Sequence, residues 1–179
     1  MRLVYLLLTA ILASSQLSAQ EVEATCLSSI AATAPSEDFV LRENGETWQI
    51  STNLIWMRCA YGQTWDGDSC SGEAEPLTWL QALELSRAFS SNGSNAWRLP
   101  NVKELSSIVE RACLRPAINA EVFPNTPSDN FWSSTPSLME QTQTWVVAFF
   151  NGNNALKEKE RTHFVRMVRT SLPQERVVE

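Results

Sequence analysis

The chain has a single histidine, His163, so a Ser-His-Asp or Cys-His centre would have to be built on it. Phe164 and Val165 follow it in a strand-like run with no activated-serine motif nearby, and we expect a strand histidine without a catalytic task. There is no His-Glu-x-x-His, no Walker-type loop and no Gly-x-Gly-x-x-Gly. The four cysteines, Cys26, Cys59, Cys70 and Cys113, include no Cys-x-x-Cys pair, which argues against a zinc site. Asp66 and Asp68 have the alternate spacing of calcium loops, but Leu77 stands where an EF-hand-type loop ends in glutamate. An acidic surface turn is therefore expected, with calcium as the alternative and no other cofactor. The 20 acids allow many carboxylate pairs for glycoside hydrolysis, and nothing selects one.

The aromatic residues point elsewhere. Trp65 lies among Gly, Asp and Ser, with Tyr61 four residues before it. Exposed Trp and Tyr are frequent contact residues in binding surfaces, so Tyr61, Trp65, Asp66 and Asp68 are the candidate ligand contacts. The alternative is that Trp65 folds back and plugs its own loop. Trp56, Trp79 and Trp145 lie at apolar-face positions and are expected in the core. The alternating run Lys157-Glu158-Lys159-Glu160-Arg161 reads as a solvated hairpin edge.

The compartment follows from the first residues. Met1-Arg2, an apolar run over 3–13 and Leu17-Ser18-Ala19 read as a signal peptide over 1–19. The run falls short of the roughly 20 residues of a spanning helix, although a retained anchor is the alternative. Cleavage after Ala19 would take away Arg2 and no acid, leaving 13 basic against 20 acidic residues, a net charge of −7. That acidity counts against a nucleic-acid partner. An even cysteine count in an exported chain predicts disulfides. Three pairings are possible. Cys59–Cys70 would close a stretch that buries little of itself, and Cys26–Cys113 would tie the N-terminal end to the middle of the domain.

The elements that must position these residues read as an α+β domain. Residues 39–42 and 47–50 flank Asn44-Gly45 as a hairpin, and 54–59 is a further strand. Residues 60–76 read as a long loop. A helix starts at Thr78, where Gln81 completes a capping box, with Trp79, Ala82, Leu83, Ser86 and Phe89 as its stripe. A turn over 90–95 leads to a second helix capped by Asn101, whose buried face is Val102, Leu105, Ile108, Val109 and Ala112. Trp97 and Leu99 are expected in the core, with Arg98 paired to Glu104 or Glu110. Strands follow at 130–134, at 144–150, apolar on both faces and hence central, and at 163–170. Seven Trp and seven Phe supply the apolar area for one domain, with helices on antiparallel strands.

Several segments together resemble one bacterial family. They are Leu54-Ile55-Trp56-Met57-Arg58-Cys59, Trp97-Arg98-Leu99-Pro100-Asn101-Val102-Lys103-Glu104-Leu105, Phe131-Trp132-Ser133-Ser134-Thr135-Pro136 and Val165-Arg166-Met167-Val168-Arg169. The chain is similar over 38–170 to the Lcl C-terminal domain family, named for part of a collagen-like adhesin. An N-terminal segment over 20–37, tied by Cys26, and a tail over 171–179 flank it. The resemblance implies a C-type-lectin-like fold related to the formylglycine-generating-enzyme architecture, and binding of sulfated polysaccharides or surfaces. Lys157, Lys159, Arg161, Arg166 and Arg169 would have to supply the basic patch for a polyanion. The expected function is a secreted or periplasmic, non-enzymatic module that recognises a glycan or envelope component. An enzyme acting on envelope polymers or protein side chains, and a structural subunit of a surface assembly, are the alternatives.

Overall fold

The computed structural model describes residues 25–90 and 96–176; the expected signal peptide lies outside them. Asn44-Gly45 turns the chain between β2 (Phe39–Leu41) and β3 (Glu46–Gln49), with Gly45 at φ 78°, where a side chain would be strained. β4 (Leu54–Met57) pairs with β3, and β11 (Val168–Thr170) pairs with β4, giving a four-stranded antiparallel sheet in the order β11-β4-β3-β2. A second, three-stranded sheet has β9 (Gln143–Ala148) between β8 (Asn130–Pro136) and β10 (Asn153–Glu158). Two short ribbons complete the structure. β1 (Thr25–Cys26) pairs with β7 (Cys113–Leu114), and β5 (Thr64–Trp65) with β6 (Cys70–Ser71).

The doubly apolar strands divide the core into two clusters. β4 sends Leu54 and Trp56 into one and Ile55 into the other, and β9 does the same with Val147 and Val146. A strand buried on both faces belongs inside the sheet, and both occupy interior positions. α1 (Trp79–Ser90) covers the second cluster with Ala82, Leu83 and Phe89, while α2 (Val102–Ser106) adds Leu105 to the first. Thr78 and Gln81 cap α1 reciprocally, as their spacing predicts. At α2 the Asn101 side chain accepts from Lys103 and Glu104, and the Glu104 carboxylate takes the Asn101 N–H at 2.8 Å. The two disulfides are Cys26–Cys113 and Cys59–Cys70, the favoured pairing.

Several expectations are corrected. α2 ends at Ser106 instead of running towards Ala112. The Ser106 and Ser107 hydroxyls bond back to the carbonyls of Val102 and Glu104, competing with helix continuation. Ile108 and Val109 are still buried, but from the irregular chain beyond, where Val109 bridges Ile118. The 60–76 loop contains the β5–β6 ribbon, and the edge strand β10 over 153–158, not among the expected strands, takes in the first two residues of the charged run 157–161. Trp145 lies in β9 half-buried and outside both clusters.

The expected strand over 163–170 is regular only from Val168. Its first part serves as a spine that bonds a different element at almost every step. His163 pairs with Leu77, Phe164 bridges Phe131, the Val165 carbonyl takes the Tyr61 N–H, and the Met167 carbonyl takes that of Met57. Arg98 and Val168 then exchange both backbone bonds. Arg166 and Arg169 consequently point inward, 0% and 3% exposed, and the proposed basic patch is not formed by them. Arg166 donates to the carbonyls of Met57 and Arg58 and to the Thr126 hydroxyl, stacks on Phe123, and has its pKa lowered to about 9 by burial.

Candidate functional site

The Cys59–Cys70 disulfide closes a loop whose tip is organised by one carboxylate. Asp66 accepts from the Ser71 hydroxyl and from the backbone N–H groups of Ser69 and Asp68. Those bonds, the Ser71 one foremost, hold its pKa at about 2. Asp66 therefore shapes the turn. Burial pushes the Arg58 pKa down, and the negative charge of Asp68 offsets part of that. Among the described residues no three His, Cys, Asp or Glu side chains are placed to hold a metal ion.

Trp65 is fixed from two sides. Its indole N–H donates to the Glu43 carbonyl at 2.9 Å, and the Arg58 guanidinium lies 4.0 Å from the ring centroid. A Cβ at Gly45 would come within 2.6 Å of the Trp65 Cγ, so the hairpin turn admits the indole only because residue 45 has no side chain. The loop is thus docked on the β2–β3 hairpin, yet Trp65 remains partly exposed. Plugging and exposure, opposed in the sequence reading, are combined here.

Between hairpin, loop and the end of α1 lies a cavity of about 340 Å³. Tyr61, Trp65, Phe89 and Trp97 line it, together with Met57 and Met167. Asn44, Glu46 and Gln63 supply its polar groups. The sequence-derived contacts divide accordingly: Tyr61 and Trp65 line this cleft, whereas Asp66 and Asp68 stand on the turn beyond it. Tyr61 is anchored by its backbone, which donates to Val165 and accepts from Glu75.

The ionised groups around the cleft are tied to one another. Arg169 donates to Glu46 at 2.9 Å and to Glu175 at 2.7 and 2.8 Å, and Arg42 reaches Glu175 at 3.3 Å. Glu175 is held at about 2, chiefly by its bonds from Arg169. Burial opposes the charge of Arg169, but the Glu175 and Glu46 carboxylates outweigh it and its pKa is raised. The same guanidinium sits 5.1 Å from the Trp97 ring centroid. Cys59 is in a disulfide, and His163 lies outside the cleft, edge-on to Trp132 at 4.6 Å, its pKa lowered by burial.

Phe89, Trp97 and Glu46 are among the cleft residues that the sequence did not mark as a site. Trp97 was expected in the core and is 7% exposed, so the second cluster also forms part of the cleft wall. The segment around it is structural on its other side. Arg98 meets Glu104 through two bonds of 2.8 Å, while Glu110, the other expected partner, instead accepts the N–H groups of Thr33, Ala34 and Ala112. Among the described residues no helix is long and apolar enough to cross a membrane. A family model described as the Lcl C-terminal domain matches residues 46–169, from the start of β3 to β11, and so includes both helices and the disulfide-closed loop. No curated protein matches the chain.

Proposed function

The chain belongs to the bacterial Lcl C-terminal domain family, and from that premise we propose that it is an exported, surface-associated binding module that recognises a glycan in the aromatic cleft. The observation that carries this reading is the convergence of Tyr61, Trp65, Phe89 and Trp97 on one small cavity. Ligand pockets combine apolar and aromatic walls with a few polar groups. Flat sugar faces present C–H groups that pack on aromatic rings, and the Asn44 amide lies at the same place with its oxygen accepting the Glu46 N–H, while the Gln63 amide is held by Ala60 and Asn125. Two disulfides fit the oxidising compartment that export would provide. A C-type-lectin-like core would account for loops carrying the site on a rigid support, and belongs to this proposal.

Binding is favoured over catalysis by the state of the cleft's charged groups. Glu46 is neutralised by arginines, and Cys59 is oxidised. No carboxylate or thiol in the lining is left free to move a proton or attack. A glycan array and a pull-down from cell-envelope fractions, each compared with Tyr61→Ala and Trp65→Ala, test the proposal. Retention that both substitutions weaken at least about tenfold, about 1.4 kcal/mol, supports it. Retention unchanged in both variants moves the site elsewhere, and absence of any retention refutes the class.

A further inference from the structure

We infer that the chain has a second binding site, separate from the aromatic cleft, in the recess between residues 72–74 and 115–128. It takes a short peptide with both ends free, the carboxylate at Arg115 and the ammonium at Glu73. The recess holds about 720 Å³, within the range of ligand sites, and Phe123 and Phe164 give it an apolar floor. Glu73 and Arg115 are the two charged residues in its lining. Among the described residues neither side chain has a hydrogen bond or an ion pair. The cleft is the opposite case, with its ionised groups tied to one another. Apart from Arg87, the other described arginines also donate to a carboxylate, carbonyl or hydroxyl. One open cation and one open anion in a single recess complement a ligand that carries both charges.

The backbone presents these groups in an unusual way. Arg115 has φ 58° and Asn125 φ 51°, two of the three non-glycine residues at positive φ among the described ones, and both line the recess. Asparagine tolerates that region and arginine does not; such conformations cluster at ligand sites. The Asn125 amide nitrogen donates to the Ser69 hydroxyl and the Cys70 carbonyl. Its amide oxygen and the Ser128 hydroxyl have no partner among the described residues and can accept peptide N–H groups. Behind the floor stands Arg166, fully buried, 4.8 Å from the Phe123 ring centroid and donating to the Thr126 hydroxyl at 2.7 Å. No carboxylate pairs with it, and its Nε–H has no acceptor. Its charge is weakly screened there, so it draws the ligand's carboxylate and weighs against the ammonium. The carboxylate is therefore the more strongly held end.

Calorimetric titration of the full chain with the peptides Ala-Phe, Ala-Phe-Ala and Ala-Phe-Ala-Ala tests this. Each is used free, amidated at its C-terminus, and acetylated at its N-terminus. The three lengths scan the span between the two charges, since an extended chain advances about 3.3–3.6 Å per residue. At least one free peptide is expected to bind, with amidation weakening it about fivefold or more and acetylation about twofold. In Arg115→Gln the free and amidated forms should bind alike, and in Glu73→Gln the free and acetylated forms. Both residues are exposed and unpartnered, so the Tm of each variant should move by less than about 2 °C. Tyr61→Ala, which alters the aromatic cleft but keeps the backbone bonds of residue 61, should leave peptide binding unchanged. A blocked peptide that binds as tightly as the free one overturns the inference. So does peptide binding lost in Tyr61→Ala and kept in Arg115→Gln, or no binding at any length. None of these outcomes bears on glycan binding in the cleft, which has its own test.

Discussion

Replacing Arg98 by alanine removes both bonds to Glu104 and isolates what the Trp97-Arg98-Leu99-Pro100 segment contributes to stability. Exposed ion pairs contribute about 0.2–1 kcal/mol, whereas breaking a fully buried pair costs about 3–5 kcal/mol. The Arg98 side chain is 39% exposed and that of Glu104 19%, so solvent screens this pair in part. Two 2.8 Å bonds in fork geometry put it above the surface range, and a loss of about 1–2 kcal/mol is expected. Glu104 keeps the Asn101 N–H, so the cap of α2 survives. For a chain of this size 1 kcal/mol moves the Tm by about 2–4 °C, and Arg98→Ala should lower it by about 2–8 °C. Glu104→Ala loses the pair and half of the capping box, about 1 kcal/mol more. Thermal unfolding followed by circular dichroism, completed as a double-mutant cycle, measures both. A Tm changed by less than about 1 °C together with lost ligand binding would refute the structural assignment and place Arg98 in the site.

Three further outcomes are expected. Glu175 has a folded pKa of about 2 against about 4.3 in an unfolded chain, so its contribution is complete above pH 4.3 and is lost as the pH falls towards 2. The acid limb of a Tm-versus-pH curve should be shallower in Glu175→Gln, and a limb unchanged by that substitution would remove the Arg169 network as its source. Serine at both Cys26 and Cys113 opens a sequence separation of 87, worth about 4.5 kcal/mol on the chain-entropy model, against about 3 kcal/mol for the separation of 11 at Cys59 and Cys70. Denaturant titrations under oxidising conditions should rank the two double variants in that order. Gly45→Ala forces an alanine to φ 78° and into the Trp65 ring, so stability should fall by more than about 1 kcal/mol and Trp65 emission should shift as the indole leaves the hairpin. Wild-type emission and stability in that variant would show that the loop does not depend on the turn.

Local rules carried the sequence reading where the structure obeys them locally. Asn44-Gly45, the Thr78–Gln81 and Asn101–Glu104 caps and the doubly apolar β4 and β9 each encode their conformation within a few residues. The disulfide pairing followed from the loop that Cys59 and Cys70 enclose. What stayed illegible depends on distant partners. Arg166 and Arg169 look like surface charges in an alternating strand, and only the carbonyls of residues 57 and 58, and the carboxylates of Glu46 and Glu175, explain their burial. The Val165 and Val168 backbones pair with segments far away in sequence, which no hydropathy period announces. Tyr61 and Trp65 were recognisable as aromatics in a polar loop. Phe89 and Trp97 were not, because a helix stripe and a core tryptophan carry no mark of the cleft they also face.

The most direct test of the aromatic-cleft account is a two-dimensional NMR titration of the full chain with an envelope oligosaccharide digest, reading backbone amides and indole N–H groups together. The account predicts that the Trp65 and Trp97 indoles and the amides of Tyr61, Gln63 and Phe89 shift in one saturable process, while those of Leu138 and Met139, exposed at the β8–β9 turn, stay in place. Shifts centred on that turn, or on the recess beside Arg115 and Phe123, with the two cleft indoles unmoved, would contradict it.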